Sequence, residues 1–178
     1  MILTFARRVF GALSLDAATY EDVEADVTAT PQALVVIVLS SLAAGVGARG
    51  AAGAASTLMF FAWASVLALA AWAAFAVLVY QVGSRLLPTP DTHVDIGQLL
   101  RTLGFAAAPG LFQVFALFTG LTVPVFVIAI LWSLAASVVA IRQALDYTGT
   151  TRALAVCGVA WLLSILVVVV LGAVVASI

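Results

Sequence analysis

Three stretches without a charged side chain, residues 50–84, 102–141 and 153–178, set the frame of the chain. A bilayer's hydrocarbon core is ~30 Å thick, and ~20 apolar residues rising about 1.5 Å each cross it. Polar residues cut the apolar stretches into spans. The first begins at Thr30-Pro31, where Thr30 can cap a helix and Pro31 suits the first helical position, because its missing N–H would be unpaired there anyway. It covers about 31–48 and stops at Gly47-Ala48-Arg49-Gly50. A second span, about 56–82, breaks at Gly83, ahead of Pro88 and Pro90 in a polar loop reaching Asp95. As one helix, 102–141 would be ~60 Å long, about twice a bilayer. Gly120-Leu121-Thr122-Val123-Pro124 therefore divides it into spans near 100–119 and 124–141, with a short hairpin at 120–123. After the loop 142–152, a fifth span covers about 153–176. The expected fold is an all-α membrane protein, with an N-terminal segment 1–30 and a five-span domain 31–178.

The N-terminal segment has a pattern of its own. At 100° per residue, Ile2, Leu3, Phe5, Ala6, Val9, Phe10 and Leu13 share one helical face, while Thr4, Arg7, Arg8 and Gly11 share the other. This helix is too short to span. It suits an interfacial anchor, with Phe5 and Phe10 toward the membrane and Arg7 and Arg8 toward headgroups, or packing against the ends of the spans. A short acidic helix follows, in which Asp16 looks like the cap and Tyr20, Glu21, Asp22, Glu24 and Asp26 come after it. Asp16, Tyr20, Glu21, Glu24 and Asp26 form a candidate docking surface or weak cation site. The alternative is a solvated helix whose acids pair with Arg85, Arg101, Arg142 or Arg152.

Composition narrows the class further. Apolar residues make up 65% and charged residues 8%, against ~45–50% and ~25% in soluble domains. Fifteen charged side chains cannot wet a soluble surface of this size. With no lysine and a net charge of −1 there is no basic face for nucleic acid. A single cysteine, Cys157, excludes a disulfide framework and a thiolate metal site. A secretory signal is not expected, because Arg7 and Arg8 interrupt the apolar residues and an acidic stretch follows. Orientation comes from the arginines: with the N-terminus cytoplasmic, Arg7, Arg8, Arg85, Arg101, Arg142 and Arg152 are inside and only Arg49 outside. The C-terminus then lies outside.

Catalytic chemistry is scarce. No span holds an acid or a histidine, and Ser40, Ser41, Ser65, Ser133 and Ser137 have no base within their own segments. Back-bonding to helix carbonyls or contact between helices accounts for such serines. His93 lies between Asp91 and Asp95, but in a helix it points away from both acids, and Thr92 with Asp95 resembles a capping box. No enzyme activity, cofactor or metal is expected. The polar feature at membrane depth is in the third span, where Gly104, Phe105, Pro109 and Gly110 precede Gln113. Pro109 should kink that helix and leave a carbonyl near residue 105 seeking a partner. Gln113 could then line a groove or bond a neighbouring helix. Alanines throughout the second span suit close helix packing, and a homo-oligomer through small-residue faces is one outcome. Trp63, Trp72, Trp132 and Trp161 read as anchors or packing.

The run Arg101-Thr102-Leu103-Gly104-Phe105-Ala106-Ala107-Ala108-Pro109 resembles the Leu-Leu-Arg-x-Leu-Gly-Tyr-x-x-x-Pro segment of the Yip-domain family, the Ypt/Rab-interacting membrane proteins and their bacterial relatives. Residues 15–26 are similar to the start of bacterial members, and Trp132-Ser133-Leu134 and Arg152-Ala153-Leu154 match the family's layout. The resemblance implies five spans, a cytoplasmic N-terminus and a role in organising membrane or partner proteins. Phe105 replaces the family's tyrosine, and the eukaryotic Asp-Leu-Tyr-Gly-Pro motif is absent. A Rab-type GTPase is therefore not an expected partner. The Ala- and Val-rich, lysine-free composition looks bacterial, which places the protein in an inner membrane. The alternative function is a channel, transporter or lipid scramblase with a path near the third span.

Overall fold

The computed structural model of the chain describes residues 2–52, 58–89, 95–118 and 120–176. Among these residues there are seven α-helices and no strand: α1 (Ile2–Leu13), α2 (Ala17–Ala25), α3 (Thr30–Ala52), α4 (Leu58–Gln81), α5 (Ile96–Ala106), α6 (Thr122–Ala144) and α7 (Thr150–Ala176). Five segments are long and apolar enough to cross a membrane: Val27–Arg49, Leu58–Leu86, Ile96–Leu117, Thr122–Ala144 and Thr150–Val167. The chain is an all-α integral membrane protein with five such helices. The third span packs against α3 and α6, α4 lies between α3 and α7, and α1 and α2 cover the ends of α5 and α6.

The first span starts differently from the expectation at Thr30. A 3-10 turn, Val27–Ala29, runs directly into α3, and Asp26 caps it by accepting from the Thr28 amide at 2.9 Å. Thr30 is already helical, and its hydroxyl donates to the Val27 carbonyl at 2.9 Å. The His93 segment lies outside the described residues. Asp95 caps α5, its side chain accepting from the Gly97 amide.

The third span is not a kinked α-helix. α5 ends at Ala106, and a ten-residue 3-10 helix, Ala108–Leu117, continues it. Pro109 has no N–H to return to the carbonyl four residues earlier, so the backbone bonds one residue closer. The Ala107 amide donates to Gly104 at 3.3 Å and the Gly110 amide to Ala107 at 2.9 Å. A 3-10 helix rises ~2.0 Å per residue, and runs beyond about four residues are uncommon without outside support. Here the support comes from neighbouring spans. The Trp72 indole N–H reaches the Leu103 carbonyl at 3.5 Å, and the Ser40 hydroxyl donates to the Ala107 carbonyl at 2.8 Å.

Close approach of α3 makes the Ser40 bond possible. A Cβ on Gly47 would collide with the Gln113 carbonyl oxygen, and one on Gly104 would sit 2.8 Å from the Ala33 Cβ. After the 3-10 helix the chain reverses at Gly120, whose φ of +86° suits glycine. At its other end α6 closes with Asp146 at φ 52°, the Asp146 amide donating to Gln143 and the Tyr147 amide to Arg142, both at 2.9 Å. The Tyr147 hydroxyl then donates to the Leu87 carbonyl at 2.8 Å, tying α6 to the end of the second span.

Gly47→Ala should destabilise the protein by about 1–3 kcal/mol, because backbone rather than a flexible side chain stands in the way. Gly158, with nothing within 4 Å of a new Cβ, is the control. Gly158→Ala should be neutral or stabilising by up to ~1 kcal/mol through helix propensity. Thermal midpoints in detergent check the pair, and equal effects would contradict the packing.

Candidate functional site

The N-terminal helices form one clamped unit. α1 ends in a turn in which the Leu15 amide donates to Ala12 at 3.1 Å and the Asp16 amide to Gly11 at 3.0 Å, with Leu15 at φ 60°. This satisfies carbonyls that the last turn leaves open. Asp16 then caps α2, accepting from the Ala18 amide at 3.3 Å and the Thr19 hydroxyl at 2.7 Å. Gly11 lets the two helices meet, since any Cβ there would strike Thr19.

Arg8 locks the unit. It is buried, with Nε 2.8 Å from Asp22, an NH2 group 2.7 Å from Asp26 and an NH1 group 3.2 Å from the Gln32 amide oxygen of α3. Burial opposes its charge, but the bonds and the attraction of Asp22 and Asp26 outweigh that and hold the guanidinium above its ordinary pKa. Arg7 alone takes the outward position expected of both arginines, at 4.0 Å from Asp22 and with its side chain mostly exposed. The reason is geometric. Arg8 falls on the same side as Phe5 and Ala12, the side that packs on the bundle.

The acidic helix is a structural cover more than an open surface. Tyr20 is fully buried and its hydroxyl donates to the Ala12 carbonyl at 3.4 Å, which removes it from any docking surface. The Glu21 carboxylate accepts from the Gln143 amide at 2.6 Å. Buried Arg101 donates to the Val23 carbonyl at 3.2 Å and to the Glu24 carbonyl, two of the orphan acceptors at the C-terminus of α2. The acids thus pair mainly with Arg8; Arg101 meets α2 through its backbone.

Phe5 packs against fully buried Phe105, with ring centroids 6.3 Å apart, so Phe5 holds α1 to the bundle instead of entering lipid. The Trp132 indole N–H donates to the Leu13 carbonyl at 2.9 Å and its ring stacks on Phe112 at 5.3 Å. The remaining apolar edge of α1 faces outward. Ile2, Leu3 and Phe10 are 82%, 86% and 69% exposed.

Within the spans, a cleft of about 370 Å³ lies between α3, α4, the third span, α6 and α7. Gln113 lines it, as do Ser40, Ser41, Ser133, Ser137 and Ser164. Gly104 and Phe105 do not, and Pro109 is buried. Ser41 back-bonds to Ile37 at 2.9 Å, and Ser65 to Phe61 at 2.9 Å, as expected of span serines. Among the described residues, Ser133 and Ser137 neither back-bond nor bridge helices. Their spacing of four on an apolar helix was the available signal for a shared polar face. No cluster of metal-ligating side chains occurs among the described residues.

This five-span bundle, with α2 folded over it and a third span that breaks at Pro109, matches a family model over residues 13–172, the Yip1 domain. The chain belongs to the Yip1-domain family. The match takes in α2 and all five spans of this Yip1 domain, and begins at the last residue of α1. No curated protein and no solved structure matches the chain.

Arg8→Met should cost about 1.5–3 kcal/mol, the range for hydrogen bonds to charged groups, since Asp22 and Asp26 are partly exposed. Acid titration of the thermal midpoint tests α2. Burial, with repulsion from Asp146, raises Glu24 to about 6. A carboxyl raised in the folded state stabilises below its ordinary value near 4.5, and that stability is lost as pH rises through about 6. Hydrogen bonds from Thr28 and Arg8 hold Asp26 at about 2, so its contribution is present above 3.8 and lost as pH falls through about 2. The midpoint should rise between pH 7 and 5 and fall below about pH 3. Glu24→Gln should abolish the rise and leave the fall.

Proposed function

We propose that this Yip1-domain protein is a non-enzymatic organiser of the bacterial inner membrane, acting on the cytoplasmic leaflet through α1. The supporting observation is the outward edge of Ile2, Leu3 and Phe10 on a helix held fast by Arg8. Burying such a side chain in an apolar environment is worth roughly 1.5–3 kcal/mol. Five spans already anchor the chain, so this edge is not needed for attachment. Its effect falls on the leaflet. Three bulky side chains inserted on one side displace headgroups there and favour bending, and they offer a surface to membrane partners. Asp16, which lines the same surface hollow as Phe10, remains as a polar contact beside that edge. The arginine distribution supports a cytoplasmic N-terminus, and with it an edge in the inner leaflet.

A second reading, a conduit for ions, small solutes or lipids, is favoured by Gln113 in the cleft. It predicts protein-dependent flux into liposomes that Gln113→Leu lowers. Flux no greater than in empty liposomes dismisses it.

The organiser reading predicts that the combined Ile2→Ser, Leu3→Ser, Phe10→Ser variant keeps its thermal midpoint and loses membrane deformation in reconstituted vesicles. Deformation equal to that of the unaltered protein would overturn the reading.

A further inference from the structure

Ser137 is more than nine-tenths buried in α6, and among the described residues its hydroxyl makes no hydrogen bond; the oxygen opens onto the cleft, since no sealed side-chain oxygen or nitrogen among those residues lacks a partner. Ser41 and Ser65 return their protons to the carbonyl four residues earlier; Ser137 does not. It lines the cleft instead. Ser133, one turn earlier on the same face, and Gln113, from the third span, line it too and likewise have no protein partner among the described residues. Polar groups without partners at membrane depth are costly unless something fills the space between them.

The walls define what that filler is. None of the lining residues carries a charge. A phosphate or ammonium group there would lose its hydration with nothing to pair with it. The volume of about 370 Å³ lies within the range of small-molecule pockets. Most of the lining is alanine, leucine, isoleucine and aromatic carbon, which a cluster of waters wets poorly. The cleft also reaches the lipid-facing surface, because Ile165 and Val169 of α7 line it and are 42% and 61% exposed.

We infer that the cleft is a binding site for the head of a neutral lipid carrying hydroxyl and ester groups, of the diacylglycerol type. Ser133 and Ser137 donate to its ester carbonyls, and the Gln113 amide oxygen accepts from its free hydroxyl. The acyl chains leave past Ile165 and Val169 into the bilayer. This site shares no residue with the outward edge of α1, so it stands or falls separately from the organiser reading.

Native mass spectrometry of the purified, detergent-released protein tests it, with dioleoylglycerol as probe and dioleoyl phosphatidic acid as the charged comparison. Saturable one-to-one binding of dioleoylglycerol is expected, with phosphatidic acid at least roughly tenfold weaker. The Ser133→Ala, Ser137→Ala double variant should bind dioleoylglycerol roughly tenfold more weakly, two hydrogen bonds being lost, with an unchanged thermal midpoint. If the double variant does not fold, Ser133→Ala alone, at a half-buried position, reads the same loss at about a third of the size. No saturable binding, equal binding of phosphatidic acid, or full binding by the folded variant would each overturn the assignment.

Discussion

A backbone crossing hydrocarbon must satisfy its own polar groups, and Pro109 prevents the third span from doing so as an α-helix. The rest of the bundle is arranged around that defect. The span changes to a 3-10 helix from Ala108 to Leu117, and carbonyls freed or exposed by the change are met by Trp72 and Ser40 from other helices. Ser40 reaches it because α3 approaches at Gly47 and Gly104 with no side chain in the way, while Trp72 reaches it from α4. Beside the 3-10 segment the spans leave a gap, and Ser40 and Trp72 themselves stand on its wall. Gln113 and the α6 serines line it as well.

The N-terminal unit solves a different problem. α1 and α2 are each too short to be stable alone, and α2 has little amphipathic pattern to guide it. What holds them is polar. Arg8 gathers Asp22, Asp26 and Gln32, while Arg101 holds the α2 C-terminus. This fixes α1 in rotation, so that Phe5 and Ala12 turn inward and Ile2, Leu3 and Phe10 turn outward. One apolar stripe therefore serves two surfaces, half against protein and half open.

Much of this is legible in the sequence, for physical reasons. Five spans follow from uncharged length against bilayer thickness, and the break at 120–123 follows from Gly120. The α1 stripe and the Asp16 cap follow from periodicity and cap chemistry. Other features did not. Arg8 and Arg7 are equivalent on a helical wheel drawn by polarity alone, and only the packing direction, set by Phe105 and Trp132, sends one inward. The same holds for Tyr20, whose acidic neighbours suggest exposure although its ring fills the space above Ala12. At Pro109 the sequence signals a disturbed helix, but kink and 3-10 continuation differ by whether neighbours supply donors. Ser133 and Ser137 look like any span serines until the cleft they line is seen.

The central claim is that α1 is fixed against the bundle with Phe10 directed into the leaflet. Spin labels at Phe10→Cys and Arg7→Cys, in a background with buried Cys157 replaced by serine, measure it directly in vesicles. Relaxation by lipid-soluble oxygen should dominate at position 10, and relaxation by a water-soluble nickel chelate should dominate at position 7. Chelate access at position 10 equal to that at position 7 would mean that the apolar edge faces water, and would contradict the account.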